Sequence, residues 1–328
     1  MQIKILVCYH RKDRLYKNDV LFPVHAGRAL AADAVSEGRM SEEDYRWMLG
    51  NTTGDDTGAD CAQISRLNSE INEWTAMYWA WKNYEKLGNP DFIGLMHYRR
   101  LFDFSPPGKI CSADVIERFG LYPENLSRVF ESYDFVHNKG FRIENKIEHS
   151  YEPFEPAVGL SESYHPVLYK YQNIFKEEQF FYYANMFIMR KDDFFGMCQE
   201  IFPVIFDLMK KPRAKVMSYW LDWVKKTFEQ KYGKRFSELM AQYNDNQNWF
   251  PRHTGYAAEY LSSFYFAYLK DRYGDRALGV PVRYVEQGTL SYCLKNKILC
   301  IRNEYLDNQT YKTLTLMGLR IVKIRKYV

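Results

Sequence analysis

The chain has 328 residues, of which 46% are hydrophobic, 17% aromatic and 26% charged, ample material for a sizeable core. With 45 basic and 41 acidic residues the formal charge is +4, too small to mark a nucleic-acid partner. No uncharged apolar run approaches the ~18 residues of a membrane-spanning helix, and the strand-like start at Ile3, Ile5 and Val7 leaves no room for a signal peptide. A soluble, cytoplasmic protein is therefore expected.

The opening run IKILVCYH alternates and is β-branched, which predicts a first core strand. Phe22 to Val35 reads as a loop feeding a short helix. Residues 50–60, GNTTGDDTGAD, intersperse Gly50, Gly54 and Gly58 with small polar residues and read as a turn-rich loop. From Glu70 the apolar positions 71, 74, 77, 78, 81 and 84 have helical spacing and predict an amphipathic helix. Asn89-Pro90 ends it, and DFIGLMHY is a second buried strand. A short helix around Ala113–Phe119 and a strand at 133–138 follow. The strand-like FFYYANMFIM at 180–189 leads into a helical section from Asp192 to about Lys231. The stretch 252–272 is a last helix, with Thr254 as its expected N-cap.

Strands alternate with helices at α/β spacing, and there is no repeat, low-complexity tract or clean linker. One α/β domain over 1–275 is expected, followed by an extension over 276–328. The six cysteines (8, 61, 111, 198, 293 and 300) form no C-x-x-C pair, so free buried thiols are expected rather than a zinc site or disulfide framework.

The common phosphate-binding, hydrolase and metalloprotease signatures are absent, but polar clusters stand at predicted strand and helix ends. Cys8-Tyr9-His10, with Arg11 and Lys12, falls at the carboxyl end of the first strand, where open α/β sheets bind ligands; a solvated turn is the alternative. Asp55 and Asp56 on a Gly-flexible loop suit ribose hydroxyls, a base N–H or a cation, or simply form a surface turn. Asn68, Asn72, Glu73 and Thr75 open the aromatic helix, where Asn68 suits an N-cap and the acid suits the positive helix end. His97-Tyr98-Arg99-Arg100 ends the strand FIGLM. Paired guanidiniums match phosphate oxygens, although consecutive residues on an extended chain face opposite sides. Arg252 marks a helix N-terminus able to hold an anion, and Glu259, farther along that helix, suits either a general base or a salt bridge.

Together, VCYH, PVHAG, GDDTG, NEWTAMYWAWKN, FIGLMHYRRLF, NMFIM and RHTGYAAE resemble a bacterial family of capsular and exopolysaccharide glycosyltransferases. That family was long known only as a domain of unknown function, and some members are galactofuranosyltransferases. The resemblance runs from about residue 3 to 270 and is most specific in Y-W-A-W-K-N and H-Y-R-R. It implies a GT-A-like, Rossmann-type nucleotide-sugar-binding domain with a helical C-terminal elaboration. It also implies inverting transfer of a hexose, galactose or galactofuranose first, from a UDP-sugar to a lipid-linked or oligosaccharide acceptor of a capsule, O-antigen or exopolysaccharide.

By the same resemblance, Cys8, Tyr9 and His10 would line the nucleotide site, with Asp55 and Asp56 near uracil or ribose and Glu73 and Thr75 facing it. Asn185 would lie beside the transferring sugar, and Arg252 and Glu259 match the family's R-x-x-G-[Y/F]-x-x-E segment. Where most GT-A enzymes place a metal-binding Asp-x-Asp, this sequence has His97 to Arg100. Metal-independent transfer is therefore expected, with Arg99 or Arg100 on the diphosphate; the alternative is Mn²⁺ or Mg²⁺ on His97 helped by Asp55 or Asp56. Glu259 is the first candidate base, followed by Asp245 and Glu155.

Residues 310–328 hold no acid, while Lys312, Arg320, Lys323, Arg325 and Lys326 are basic. Leu314, Met317, Ile321, Ile324 and Val328 have helical spacing, which predicts a basic amphipathic helix suited to an anionic membrane surface. A competing reading is a non-catalytic glycan- or nucleotide-binding protein, since the 27 Tyr, 22 Phe and 7 Trp can stack on sugar faces. Such a module needs no paired arginines and carboxylates at strand ends.

Overall fold

A computed structural model of the chain describes residues 1–55, 62–105, 114–142, 156–211, 215 and 252–285, and the backbone of strands at 299–306, 309–316 and 319–325. The chain divides into two compact units, Met1–Arg283 and Tyr284–Val328.

The first unit is built on a mostly parallel sheet. Strand β1 (Ile3–Tyr9) is buried at every position but Lys4, as expected of a strand covered on both faces. It lies between two parallel neighbours, β2 (Leu21–His25) and β4 (Phe92–His97). Segment 22–25, read from sequence as loop, is thus strand. Proline-23 disguised it, but the edge strand β3 (Thr53–Gly54) covers only Val24 and His25. Pro23 therefore sits where one side of β2 is unpaired, which a sheet tolerates. On the other side of β4 the order continues through β9 (Phe187–Arg190), β6 (Phe135–Asn138) and β10 (Ala277–Val280). Strand β9 runs antiparallel to both neighbours. After β4 the chain reverses through Tyr98 and Arg99, so that β5 (Arg100–Phe102) pairs His97 with Arg100. Two short strands, β7 (Phe141–Arg142) and β8 (Phe180–Phe181), pair separately, and β11 (Val282–Tyr284) pairs with β5.

Helices α1 (Arg28–Ser36) and α2 (Glu42–Asn51) follow β2. The predicted loop at 50–60 thus begins with the end of α2 and with β3. The predicted aromatic helix is interrupted: α3 (Asn68–Ile71) stops at Asn72, whose φ of 53° is left-handed, and α4 (Trp74–Lys82) restarts beyond it. The expected apolar face of α4 is buried through Trp74 and Met77, and the Trp74 ring meets Phe202 edge-on at 5.4 Å.

Helices α5 (Val115–Arg118) and α6 (Pro123–Ser132) precede β6, and α7 (Pro166–Glu178) precedes β8. Helix α8 (Lys191–Lys210) is followed by an extended Lys211, since residues before a proline, here Pro212, avoid helical backbone; in the rest of the helical section expected to about Lys231, Lys215 is the described residue and it is helical. The final helix, α9 (His253–Tyr273), is buried nearly all round, which marks it as a core helix rather than an amphipathic surface one. Arg252 holds its cap position, and Thr254, expected there, lies inside the helix and is fully buried.

The second unit contains an antiparallel sheet of β12 (Leu299–Leu306), β13 (Gln309–Leu316) and β14 (Leu319–Arg325). The tail is therefore not the expected amphipathic helix. Its run of Thr310, Thr313, Thr315, Ile321, Val322 and Ile324 favours pleated backbone and outweighs the apolar spacing. No helix among the described residues is long and apolar enough to cross a membrane.

Candidate active site

Parallel pairing brings the carboxyl ends of β1, β2 and β4 to one edge, with Tyr9 opposite His25 and Cys8 opposite His97. Cys8 is a buried free thiol whose pKa burial pushes well up; Cys198 is likewise free and buried. The Tyr9 hydroxyl donates to the Arg14 carbonyl and accepts the Tyr16 N–H, each at 2.9 Å, which ties down the loop after β1. Its ring stacks on Tyr98 at 5.2 Å.

Beyond this stack lies a cationic rim. The Tyr98 hydroxyl accepts hydrogen bonds from Arg11 Nε at 3.0 Å and Arg99 Nη2 at 2.6 Å, and lies 3.3 Å from His10 Nε2. His10 is exposed at its edge, yet its pKa is lowered to about 4, first by desolvation among its neighbours and then by Arg99, His97, Arg11 and Arg252. Arg252 reaches this neighbourhood from the start of α9. Arg99 and Arg100 serve different places, as their alternation predicted: Arg99 joins the rim, whereas Arg100 lies near enough to Glu259 to favour its ionised form.

Inward from the rim lies an acidic network. The break at Asn72 releases Glu73 from the helix, and Glu73 Oε1 accepts a hydrogen bond from Asn185 Nδ2 at 2.7 Å. His97 Nε2 lies 3.8 Å from the same oxygen and 2.8 Å from the Ala184 carbonyl. A carbonyl only accepts, so His97 carries its proton on Nε2. Ala184 and Asn185 have φ of 62° and 48°, a left-handed turn that costs a non-glycine residue energy unless its surroundings hold it. Glu259 supplies that hold by accepting the Ala184 N–H, and Ser262 donates to Asn185 Oδ1. Glu259 is buried, and its pKa rises to about 8, chiefly by desolvation and then by the charge of Glu73. Gly255 lets α9 approach closely, since a Cβ there would stand 2.7 Å from Asn72 Nδ2 and 2.9 Å from the Glu70 carbonyl.

Other nominated residues are engaged elsewhere. Asp55 is fully buried and accepts the N–H groups of Gly27 at 2.9 Å and Arg28 at 3.3 Å, capping α1. Thr75 is buried and donates to the Asn72 carbonyl at 3.2 Å. Asp56, Asp245 and Glu155 lie outside the described residues. Among the described residues no group of three or more His, Cys, Asp or Glu is placed to hold a metal ion. Of the donors nominated for a metal, the two described fit it poorly as arranged, because His97 Nε2 is committed to a carbonyl and Asp55 to the helix cap.

Residues 4–220 match the family described as Domain of unknown function (DUF4422). The chain belongs to that family. Its fold is shared with a solved structure, described as a WbbM bifunctional glycosyltransferase in its apo form, at a TM-score of 0.60 and 22% identity. The likeness covers 88% of this chain but 46% of that one, so the chain spans about half the length of its structural relative. The GT-A-like α/β fold expected from sequence is thereby established. A comparison with curated proteins finds no match.

Within this DUF4422 chain, the sequence pattern named Tyr98 and Arg11 only as members of their clusters, with no role of their own, and passed over Ser262. Ser262 was findable, because it follows Glu259 by three residues and so shares its helix face. Tyr98 stood inside the H-Y-R-R motif, masked by more conspicuous neighbours.

Proposed function

We propose that this DUF4422 chain is a nucleotide-sugar-dependent glycosyltransferase that uses a UDP-sugar, galactose or galactofuranose first, to extend a surface polysaccharide. One observation carries the reading: a cationic rim and a carboxylate network adjoin at the carboxyl ends of the parallel strands, on a glycosyltransferase-like fold. Glycosyl transfer develops negative charge on the departing diphosphate and positive charge on the sugar ring, and needs a base for the acceptor hydroxyl. Arg99, Arg11 and the end of α9 at Arg252 face the diphosphate in this reading. Asn185, held by Glu73 and Ser262, lies beside the sugar.

Two carboxylates compete for the role of base. Glu259, the first candidate from sequence, is committed to the Ala184 N–H, and a pKa of about 8 keeps it largely protonated at neutral pH. Glu73 has one oxygen on Asn185, and its side chain is 14% exposed. We assign Glu73 as the base in an inverting transfer and Glu259 as the residue that holds the turn. Arginine can neutralise the diphosphate without a metal, and that is the mechanism proposed.

The acid-free tail, now a pair of strands, is proposed to contact an anionic membrane surface and bring the enzyme to a lipid-linked acceptor; deleting 310–328 is expected to abolish binding to anionic vesicles. Calorimetric titration with UDP tests the main reading. Binding that survives EDTA supports it, binding that requires Mn²⁺ overturns the metal-free mechanism, and no binding under either condition overturns the donor assignment.

A further inference from the structure

The Tyr98 hydroxyl is the point on which the rim converges, and its hydrogen-bond capacity is filled. A phenol oxygen accepts two hydrogen bonds and donates one. Arg11 Nε at 3.0 Å and Arg99 Nη2 at 2.6 Å are obligate donors and take both acceptor sites. The single O–H is then left for His10 Nε2, at 3.3 Å. His10 must therefore present a bare Nε2 and carry its proton on Nδ1.

The rest of Tyr98 is fixed as firmly. Its side chain is buried, its N–H donates to the Cys8 carbonyl at 3.2 Å, and its ring stacks on Tyr9. The Arg99 guanidinium also lies over the Tyr98 ring, 4.9 Å from its centre. Two guanidiniums drawn to one neutral oxygen repel each other. The carboxylate Asp13 Oδ2, 3.9 Å from Arg99 Nε, offsets part of that repulsion. Like charges kept together ahead of a ligand are pre-organised for an anion that neutralises both.

We propose that Tyr98 is a positioning residue, whose hydroxyl holds Arg11 and Arg99 side by side as a clamp for a diphosphate. The proposal rests on the transferase reading for the identity of the ligand. It adds Arg11, eighty-eight positions from Arg99 in sequence, as a second arm of the site. The ligand class is a nucleoside diphosphate rather than a monophosphate, because two guanidinium forks match the oxygens of two linked phosphates.

The groups facing His10 are Tyr98, Arg11 and His97 at the strand ends, Arg99 in the β4–β5 turn and Arg252 at the start of α9. Removing the hydroxyl takes away the O–H that favours neutral His10 and releases the two arginines beside it. Both changes move the His10 pKa upward.

The test is Tyr98→Phe, which keeps the ring and its stack. We expect UDP affinity to fall about tenfold, the loss of one charge-assisted hydrogen bond's worth, with a smaller change for UMP. We also expect the His10 imidazole resonance, assigned with His10→Gln, to titrate at higher pH than in the wild type. Unchanged UDP affinity together with an unchanged His10 titration overturns the proposal. Should Y98F unfold, Arg11→Gln serves instead: selective loss of UDP over UMP supports the clamp, and equal affinities for R11Q and wild type overturn it. A wild type that binds inorganic pyrophosphate but not UDP overturns the transferase reading alone, and the clamp is then read from pyrophosphate binding to Y98F. A wild type that binds neither overturns both.

Discussion

At the rim, His10, Arg11 and Arg252 are exposed, and Arg99 is half-buried around one neutral phenol. Inward, the carboxyl groups of Glu73 and Glu259 are far less exposed, have their oxygens tied to Asn185 and Ala184, and in Glu259 burial favours the neutral acid. The two regions adjoin through His97, which follows Met96 into the turn that begins with Tyr98 and reaches the Ala184 carbonyl. Exposed cations wait for a ligand to neutralise them, because water sustains their charge meanwhile. Buried carboxylates have no such reserve, so the fold must supply donors or a proton. The rim is accordingly suited to binding an anion, and the interior to orienting groups and moving a proton.

The largest effect should come from the interior. Glu73→Gln is expected to lower transfer from a UDP-sugar by about 10²–10⁴-fold, the usual range for losing a general base, while UDP affinity changes little. Equal activity of E73Q and wild type would break the division of labour proposed for the two carboxylates. Arg99→Ala should do the reverse, weakening UDP by roughly tenfold to a hundredfold through loss of a charge-assisted contact. Raised salt should weaken UDP binding to the wild type more than to R99A.

Glu259 gives a pH signature. Its pKa of about 8 in the folded protein exceeds the ordinary 4.5, so between those values the folded chain keeps a proton that the unfolded chain releases. Its contribution is therefore fully present below about pH 4.5, is lost as pH rises towards 8, and changes no further above that. Thermal midpoints measured from pH 5 to 9 should fall less steeply for Glu259→Gln than for wild type. A parallel fall would place the charge of Glu259 elsewhere. The smallest effect is structural: Asp55→Ala should cost about 1–2 kcal/mol in denaturant unfolding, as for a lost helix cap, with UDP affinity nearly unchanged.

Much of the sheet was legible, because β1, β4 and β9 are largely apolar runs of strand length and β6 opens on Phe135-Val136. Strand β2 was hidden by Pro23 and by a polar His25 that is buried only through its neighbours. The break at Asn72 left no mark on the periodicity, since the apolar positions on both sides of it keep helical spacing. Yet that break is what turns Glu73 towards Asn185. For the candidate site, the sequence singled out His10, His97, Asn185 and Glu259, and the structure brings His97, Asn185 and Glu259 around the Ala184 turn with His10 at the adjoining rim. The sequence could not give their partners, because Asn185–Glu73 and Tyr98–Arg11 join residues more than eighty positions apart. Asp55 shows the converse. A Gly-Asp-Asp-Thr-Gly loop reads as exposed and ligand-facing, whereas the structure uses its first Asp to cap α1.

The most direct test is calorimetric titration of UDP into wild type, R99A and E73Q side by side, with folding checked by thermal midpoint. The division between a binding rim and a proton-handling interior predicts that R99A loses at least about tenfold in affinity while E73Q binds as the wild type does. Retained binding in R99A with lost binding in E73Q would contradict it.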